Sequence, residues 1–225
     1  TYPCKKYTFG YNQECDCRII EVITDTKGII IKANIFEEKV DLFFPIPAPK
    51  LAVNVVAAAA TAYLLGVDLK EIQNRIKNYQ PTGSRLKMTK LPEGGLIIDD
   101  TYNANPVSMQ AALETASQLK KGSRYVAVLG DMYELGAYER EGHYKVGKLA
   151  AQNGVELLIT VGSLAYHIAE GAIAAGMDNN NVYHFNDKTE CLYYLQHNLK
   201  RTDIVLFKAS RGMQLETLIE GWLNK

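Results

Sequence analysis

Apolar and polar positions along the first part of the chain predict β-structure. Residues 1–46 contain four short runs rich in β-branched and aromatic side chains. Thr26, Lys27 and Gly28 separate two of these runs, as the residues of a hairpin turn would. The runs therefore predict an antiparallel meander with strands at 7–10, 18–26, 29–36 and 40–46.

Two helices and a linker are predicted to follow the meander. An Ala-rich stretch at 51–65 stops before Gly66, which suits the position after a helix end. Asp68 is placed to cap a second helix at 68–79. The next residues, 80–84, read Gln-Pro-Thr-Gly-Ser and have the composition of a linker. The predicted domains are therefore 1–84 and 85–225.

The second half of the chain alternates between short apolar runs and helix-length segments. Strands separated by such helices form parallel βαβ units, and strands that are apolar throughout are covered on both faces. The predicted fold class is α/β: a doubly wound, mostly parallel, Rossmann-like sheet preceded by a small α+β domain. The predicted strands are 96–100, 124–129, 155–161, 181–185 and 203–208, and the helices are 106–119, 139–153, 163–175, 188–199 and 211–223.

Polar residues follow three of the predicted strands, at 99–106, 130–136 and 208–212. Doubly wound sheets bind ligands outside the carboxyl ends of their strands. Carboxylates, amides, a lysine and an arginine at that edge favour a site for a ribose, a phosphate or a carboxylate. The alternative is that Asp100, Asn103 and Asn105 terminate strands and form turns and caps.

Three single residues need an interpretation of their own. Arg85 either reaches a phosphate from a cleft between the two predicted domains or is a solvated surface arginine. His143 lies on a predicted helix and is more typical of a satisfied or exposed helix histidine than of a base. The Asp100 side chain is expected to face the cleft rather than the core.

Composition argues against several classes of protein. The 25 Lys and Arg residues balance the 25 Asp and Glu residues, and this zero net charge argues against a nucleic-acid partner. The longest apolar run is too short to span a bilayer and no signal segment opens the chain, so we expect a cytoplasmic protein with no membrane partner.

The cysteines and the missing phosphate motifs restrict the chemistry further. Cys4, Cys15 and Cys17 have no fourth zinc ligand nearby, so reduced thiols are expected in place of a metal site. No P-loop or dinucleotide-binding glycine motif occurs in the sequence. The main phosphate contacts of any ATP site are therefore expected to lie outside this chain.

Three segments occur in an order that resembles a known family. They read LIIDDTYNANPVSM at 96–109, VLGDMYELG at 128–136 with His143 beyond it, and VLFKASRGM at 205–213 with Glu216 beyond it. Together they resemble the C-terminal domain of the Mur ligases, and PTGSRL at 81–86 resembles the Gly/Arg linker of that family. Residues 1–84 resemble the second half of the family's central ATPase domain, so the resemblance covers nearly the whole chain.

This resemblance implies an activity, cofactors and partners. Mur ligases transfer the γ-phosphoryl group of ATP to a substrate carboxylate, and an amine then attacks the acyl phosphate. The string at 99–106 resembles most the member that adds D-alanyl-D-alanine to a UDP-muramoyl-tripeptide in peptidoglycan synthesis. ATP and Mg²⁺ are the implied cofactors, with the metal ligands outside this chain. Without a P-loop, the chain is expected to need the N-terminal half of the ligase and to be inactive alone.

The resemblance also implies roles for individual residues. Asp100 matches the acidic residue that holds the ATP ribose, Arg85 the linker arginine near the phosphates, and Asn54 an asparagine of the adenine motif. Tyr102 is assigned to the nucleotide side as well. The rim of the ATP and dipeptide site is expected to hold Asn103, Asn105, Lys208, Ser210 and Arg211. No catalytic residue or metal ligand is assigned.

Some positions depart from the family pattern. Lys50 and Leu51 replace the histidine and the first asparagine of the adenine motif, and leucine forms no hydrogen bond through its side chain. Ala209 stands where the family usually has glycine, and its methyl group is expected to crowd a backbone approach. Two alternatives therefore stay open: a degenerate, ligase-like binding module, or a related ligase of the folylpolyglutamate or cyanophycin type.

Overall fold

The computed structural model describes residues 4–25, 27–120 and 122–224. The chain divides into two compact units, Thr1–Gln80 and Pro81–Lys225. Within the described ranges, no helix has the length and apolar character that a membrane span requires.

The first unit contains a four-stranded sheet in the order β1-β2-β3-β4. The strands are Phe9–Gly10 (β1), Cys17–Thr24 (β2), Ile29–Ile35 (β3) and Glu38–Phe44 (β4). The predicted antiparallel pairing is confirmed for β2, β3 and β4. Between β2 and β3, the Asp25 carboxylate accepts hydrogen bonds from the N–H groups of Lys27 and Gly28, while Thr26 lies outside the described residues.

The predicted antiparallel direction of the first strand is wrong, because β1 pairs with β2 in parallel. A turn at 11–16 explains the difference. The Asp16 carboxylate accepts hydrogen bonds from the N–H and the hydroxyl of Thr8, at 2.7 and 2.8 Å. The chain therefore returns past Thr8 before β2 begins, and the two strands run in the same direction.

Two helices pack against this sheet: Ala52–Leu64 (α1) on β2 and β3, and Leu69–Lys77 (α2) on β4. Gly66 has a φ of 84°, a left-handed conformation that favours glycine after a helix end. Asp68 caps α2 by accepting a hydrogen bond from the N–H of Lys70. Both predicted helices are confirmed.

The second unit contains a six-stranded sheet in the order β5-β6-β10-β7-β8-β9. Strands β6 to β10 are all parallel, which confirms the predicted α/β fold class. The strands are Lys87–Lys90 (β5), Leu96–Asp100 (β6), Tyr125–Gly130 (β7), Leu157–Val161 (β8), Val182–Phe185 (β9) and Ile204–Lys208 (β10). The helices are Pro106–Leu119 (α3), Glu139–Gln152 (α4), Tyr166–Ala174 (α5), Lys188–Asn198 (α6) and Glu216–Leu223 (α7).

Two features of this unit differ from the prediction. The edge strand β5, which pairs antiparallel with β6, was not predicted because Lys-Met-Thr-Lys carries two charges and little apolar character. The predicted helix at 211–223 is interrupted: Arg211–Met213 forms a 3₁₀ turn, and Gln214 has a left-handed φ of 48°. The interruption directs the fully buried Leu215 into the core before α7 begins.

Helices cover both faces of this sheet. On one face, α3, α4 and α5 pack against alternate strand residues that include Leu206. On the other face, α6 and α7 pack against residues that include Phe207. Strand β10, the last in sequence, lies between β6 and β7 and pairs with both. The three strands that end in the polar segments are therefore neighbours.

Candidate functional site

The carboxyl ends of β6, β10 and β7 lie side by side at one edge of the parallel sheet. In the sheet register, Lys208 at the end of β10 is opposite Asp100 on one side and Leu129 on the other. The structure thus brings together the three polar segments at 99–106, 130–136 and 208–212.

An ion pair joins the ends of the first two strands. The Lys208 ammonium lies 2.5 Å from Oδ2 of Asp100 and donates a second hydrogen bond, of 2.8 Å, to the carbonyl of Asn103. Oδ1 of Asp100 accepts a hydrogen bond from the N–H of Leu86 at 3.0 Å. The side chains of Lys208 and Asp100 are 2% and 14% exposed. Asp100 is therefore largely buried, and part of its side chain stays accessible at the carboxyl edge of the sheet.

Burial acts on the charges of this pair in opposite directions. It raises the pKa of Asp100 above that of an ordinary aspartate, and the nearby Lys208 ammonium counteracts this effect. It lowers the pKa of Lys208, against the influence of the Asp100 carboxylate. Each residue thus supplies the charge that its partner needs. Removal of one would leave the other as an uncompensated buried charge.

Arg85 and Tyr102 form an exposed pair beside this site. The Arg85 guanidinium carbon lies 4.1 Å from the centre of the Tyr102 ring, within the range of a cation–π interaction. The N–H of Tyr102 donates to the carbonyl of Ser84 at 3.0 Å. Because both side chains are exposed, the N–H groups of Arg85 remain accessible to an anion.

The two asparagines after β6 have local structural partners. Asn105 caps α3 through a hydrogen bond from the N–H of Ser108 to its side-chain oxygen at 2.8 Å, and the Ser108 hydroxyl accepts from the N–H of Asn105. The side-chain oxygen of Asn103 accepts from the N–H of Ala104 at 2.8 Å. These contacts support the alternative interpretation, in which the two residues shape the turn and cap the helix.

At the end of β10, Ser210 and Arg211 have contrasting environments. Ser210 is 4% exposed, and its hydroxyl accepts a hydrogen bond from the N–H of Tyr133 at 2.8 Å. Arg211 is exposed, with Nη1 donating to Oε1 of Glu216 at 2.7 Å. Ser210 therefore shapes the backbone of this edge, whereas Arg211 presents a guanidinium to its surface.

The methyl group of Ala209 has a specific place in the fold. Ala209 is buried, and its Cβ would be 2.8 Å from a Cβ added at Gly130. Real Cβ atoms do not approach so closely. The extra methyl group at position 209 is therefore accommodated within the sheet because position 130 is glycine.

Asp131 is a central residue of this edge that sequence reasoning did not assign to the site. Its Oδ1 accepts hydrogen bonds from the N–H groups of Leu164 and Ala165, at 3.1 and 2.7 Å, and its carbonyl accepts from the N–H of Ser210. It thereby joins the segments after β7, β8 and β10. Burial raises its pKa. The sequence signal was an acidic residue directly after a continuous apolar strand.

His143 is a satisfied core histidine. It is fully buried, Nδ1 lies 2.7 Å from the carbonyl of Glu139, and Nε2 lies 2.8 Å from the N–H of Met132. A carbonyl can only accept, so Nδ1 carries the proton and Nε2 accepts; the ring is neutral. Burial lowers its pKa. The structural interpretation of this residue is confirmed.

Asn54 belongs to the first unit, where it lies exposed on α1. Lys50 and Leu51 form part of the 3₁₀ turn Pro49–Leu51, which precedes that helix. Throughout the part of the chain that the structure describes, no group of three or more His, Cys, Asp and Glu side chains could hold a metal ion.

Comparisons with known proteins agree with these motifs. Residues 84–211 match the family model of the Mur ligase, glutamate ligase domain. The UDP-N-acetylmuramoyl-tripeptide–D-alanyl-D-alanine ligase of Bacillus subtilis is 32% identical over 219 residues, which are 97% of this chain and 47% of that protein.

Solved structures are similar over the same extent. A crystal structure of MurF from Acinetobacter baumannii has a TM-score of 0.85 and 27% identity, covering 97% of this chain and 47% of that one. MurF ligase from Thermotoga maritima, in complex with ADP, has a TM-score of 0.74 and covers 96% and 48%; at 23% identity this shows the fold alone. The chain thus spans about half the length of the relatives it matches.

Proposed function

Since the chain belongs to the Mur ligase family, we propose that it is part of an ATP-dependent ligase that joins D-alanyl-D-alanine to UDP-N-acetylmuramoyl-tripeptide. The name of the Bacillus subtilis relative, at 32% identity, supports this substrate pair. In this proposal residues 1–84 belong to the central ATPase domain and residues 85–225 form the C-terminal domain.

The observation that carries the nucleotide assignment is the grouping of Asp100, Tyr102 and Arg85. A carboxylate has about four lone-pair positions, and the two oxygens of Asp100 each accept one hydrogen bond within the chain. Capacity for ribose hydroxyls therefore remains. Arg85 lies beside it with an exposed guanidinium, the group best suited to phosphate. These residues fit the ribose and one part of the phosphate chain.

ATP supplies the phosphoryl group that converts the carboxylate of the tripeptide into a better acylating group. The amine of D-alanyl-D-alanine then forms the amide bond, phosphate leaves and the amine loses a proton. In this scheme Asp100 holds the nucleoside and Arg85 orients a phosphate. Asn54 remains a proposed adenine contact on α1.

On the acceptor side, Arg211 is the proposed contact to the carboxylate of the dipeptide. It is the rim residue with an exposed guanidinium, and Glu216 orients it through one N–H. Asn103, Asn105, Lys208 and Ser210 have partners within the chain, so we assign them to the wall of the rim.

The described residues do not fit a Mg²⁺ site, because they contain no cluster of carboxylates or histidines suited to a metal ion. No P-loop occurs in the sequence either. Residues outside this sequence would have to supply both functions. The chain alone is therefore expected to release no phosphate when it is incubated with ATP, Mg²⁺, UDP-muramoyl-tripeptide and D-alanyl-D-alanine; turnover above background would contradict this.

The nucleotide role of Asp100 is tested in the longer ligase that contains this chain. Replacing Asp100 by Ala removes charged hydrogen bonds worth about 1.5–3 kcal/mol, which corresponds to an ATP KM raised roughly ten- to a hundred-fold. Because Asp100 is also paired with Lys208, Asp100→Asn, which keeps the shape, is measured beside it at a temperature where both variants are folded. An unchanged ATP KM in both variants would remove Asp100 from the site.

One observation favours a second candidate, a ligase-like module that does not bind ATP. Leu51 and Lys50 occupy the positions of the adenine motif, and leucine offers no hydrogen bond. Calorimetric titration of the longer protein with ADP distinguishes the two. Binding supports the ligase, and absence of binding at millimolar ADP supports the module.

A further inference from the structure

Three contacts attach residues 84–86 to the end of strand β6. The N–H of Tyr102 donates to the carbonyl of Ser84, and the N–H of Leu86 donates to Oδ1 of Asp100, both at 3.0 Å. Between them, the Arg85 guanidinium lies over the Tyr102 ring at 4.1 Å. The conformation of Arg85 is therefore determined by residues of the turn after β6.

Leu86 adopts an unfavourable backbone conformation to make its contact. Its φ is +49°, in the left-handed region that leucine rarely occupies. Such a conformation persists only where surrounding interactions hold it. The interaction available at this residue's own N–H is the Asp100 carboxylate.

The Asp100 carboxylate is held in turn by Lys208. The ammonium of Lys208 reaches Asp100 and the carbonyl of Asn103 from the neighbouring strand, 108 and 105 positions away in the sequence. With 2% of its side chain exposed, Lys208 is poorly placed to meet a substrate directly. Its contacts instead fix both ends of the turn 100–103.

We propose that Lys208 is a positioning residue, which holds Asp100 and through it the strained segment that carries Arg85. In the longer ligase, Lys208 would thereby orient Asp100 toward the ribose and Arg85 toward a phosphate. That part of the proposal rests on the proposed function. Within this chain the proposal concerns only the attachment of residues 84–86, so it is tested without any nucleotide.

A matched control is available at the opposite edge of the same sheet. Arg124 lies 2.5 Å from Asp203; the Asp203 side chain is 1% exposed and that of Arg124 33%, so a buried carboxylate is again paired with a cation. It lies at the amino ends of β7 and β10. Breaking it should cost stability in the way that breaking the Lys208 pair does, without touching residues 84–86.

Trypsin cleavage of the Arg85–Leu86 bond reports on the attachment. Cleavage requires the Arg85 side chain to leave the Tyr102 ring and the segment to extend into the protease. The hydrogen bond from the Leu86 N–H to the Asp100 carboxylate is charge-assisted and is worth about 1.5–3 kcal/mol. Its loss would raise the population in which residues 84–86 are released roughly ten- to a hundred-fold. The experiment uses the 225-residue chain under native conditions, with the cleaved bond identified by mass spectrometry.

Lys208→Met should accelerate this cleavage about ten-fold or more, whereas Arg124→Met should leave it within about two-fold of the wild type, by the same free-energy conversion. If Lys208→Met does not fold, Asp100→Asn is measured instead, and a smaller acceleration in the same direction is expected. In the double variant that combines Lys208→Met with Asp100→Asn, the two accelerations of cleavage should not multiply. Both substitutions act through the same contact, the one between the Asp100 carboxylate and the Leu86 N–H. Equal acceleration in Lys208→Met and Arg124→Met, or none in either, would overturn the proposal.

The nucleotide role has a separate readout. In the longer ligase, Lys208→Met should raise the KM for ATP more than it lowers kcat, and Arg124→Met should change neither. Faster cleavage at Arg85 with an unchanged ATP KM would support the positioning of the segment and contradict the proposed nucleotide site. Unchanged cleavage would contradict the positioning role whatever the KM.

Discussion

The N–H of Tyr133, just after β7, donates to the hydroxyl of Ser210, just after β10, at 2.8 Å. The contact is reinforced by a hydrogen bond from the N–H of Ser210 to the carbonyl of Asp131 and by one from the Tyr133 hydroxyl to the sulfur of Met213. The Tyr133 ring also leaves no room for a side chain at Gly212, where an added Cβ would be 2.9 Å from it. Two segments that are distant in sequence thus form one surface.

Ser210→Ala removes the acceptor for the Tyr133 N–H. We expect the free energy of unfolding to fall by about 1 kcal/mol, the usual net contribution of such a hydrogen bond. Urea denaturation followed by circular dichroism measures the change. Ser163→Ala, at an exposed serine, is the control. If both substitutions have the same effect, the Tyr133 contact contributes nothing specific.

Gly162→Ala should lower the melting temperature much more than Gly176→Ala. Both glycines have positive φ, 108° and 95°, so each substitution carries a backbone cost of on the order of 1–3 kcal/mol. At Gly162 an added Cβ would also lie 2.5 Å from Oδ1 of Asp131, while nothing lies within 4 Å at Gly176. Melting temperatures of the two variants test this, and equal values would show that the Asp131 carboxylate moves aside freely.

The buried, neutral His143 predicts that stability decreases in mild acid. Burial lowers its folded-state pKa below the ordinary 6.5. Below pH 6.5 the unfolded chain therefore binds a proton that the folded chain excludes. The contribution of the neutral His143 to the free energy of unfolding is fully present above pH 6.5. Below that pH it falls by up to about 1.4 kcal/mol per pH unit until the folded-state pKa is reached. The Asp131 carboxylate raises the His143 pKa and so opposes the effect of burial. It therefore narrows the pH range, between the folded-state pKa and 6.5, over which the unfolding free energy falls.

Urea denaturation of the wild type and of His143→Gln between pH 7.5 and 5.5 isolates this contribution. Glutamine can still accept from the N–H of Met132 but does not titrate. The difference in unfolding free energy between the two proteins should shrink as the pH falls. A difference that does not vary with pH would mean that His143 has the same pKa in the folded and the unfolded chain, and would contradict the effect of burial.

Limited proteolysis with subtilisin should cut first within residues 80–84. These residues lie outside the helices and strands, and exposed linkers are cleaved before packed elements. The attachment of Ser84 and Leu86 to the end of β6 should protect the chain from there onward. A stable fragment that begins near Arg85 is expected by mass spectrometry. Early cuts within 96–223 would be inconsistent with the packed parallel sheet.

Local sequence determined much of this protein. Continuous apolar runs separated by helix-length segments predicted β6, β7, β8 and β10 of the second unit, because burial on both faces requires apolar side chains. Strand β9, which is only partly buried, was predicted from its place in the alternation of strands and helices. Helix N-caps were also predictable from local sequence, since Asp68 and Asn105 cap the helices that follow them. Such signals are local because the hydrogen bonds that they describe join residues only two or three positions apart.

The tertiary structure alone decided which strand ends meet. No periodicity in β10 indicates that it pairs between β6 and β7, and without that pairing Lys208 would have no contact with Asp100, 108 positions away. The tertiary structure alone also decided that the charged segment Lys87–Lys90 forms strand β5, which pairs with the outer side of β6 at the edge of the sheet. It likewise decided where the last helix is interrupted, at Gln214. Long-range pairing depends on which apolar faces can be buried together, and that is a property of the whole chain rather than of any segment.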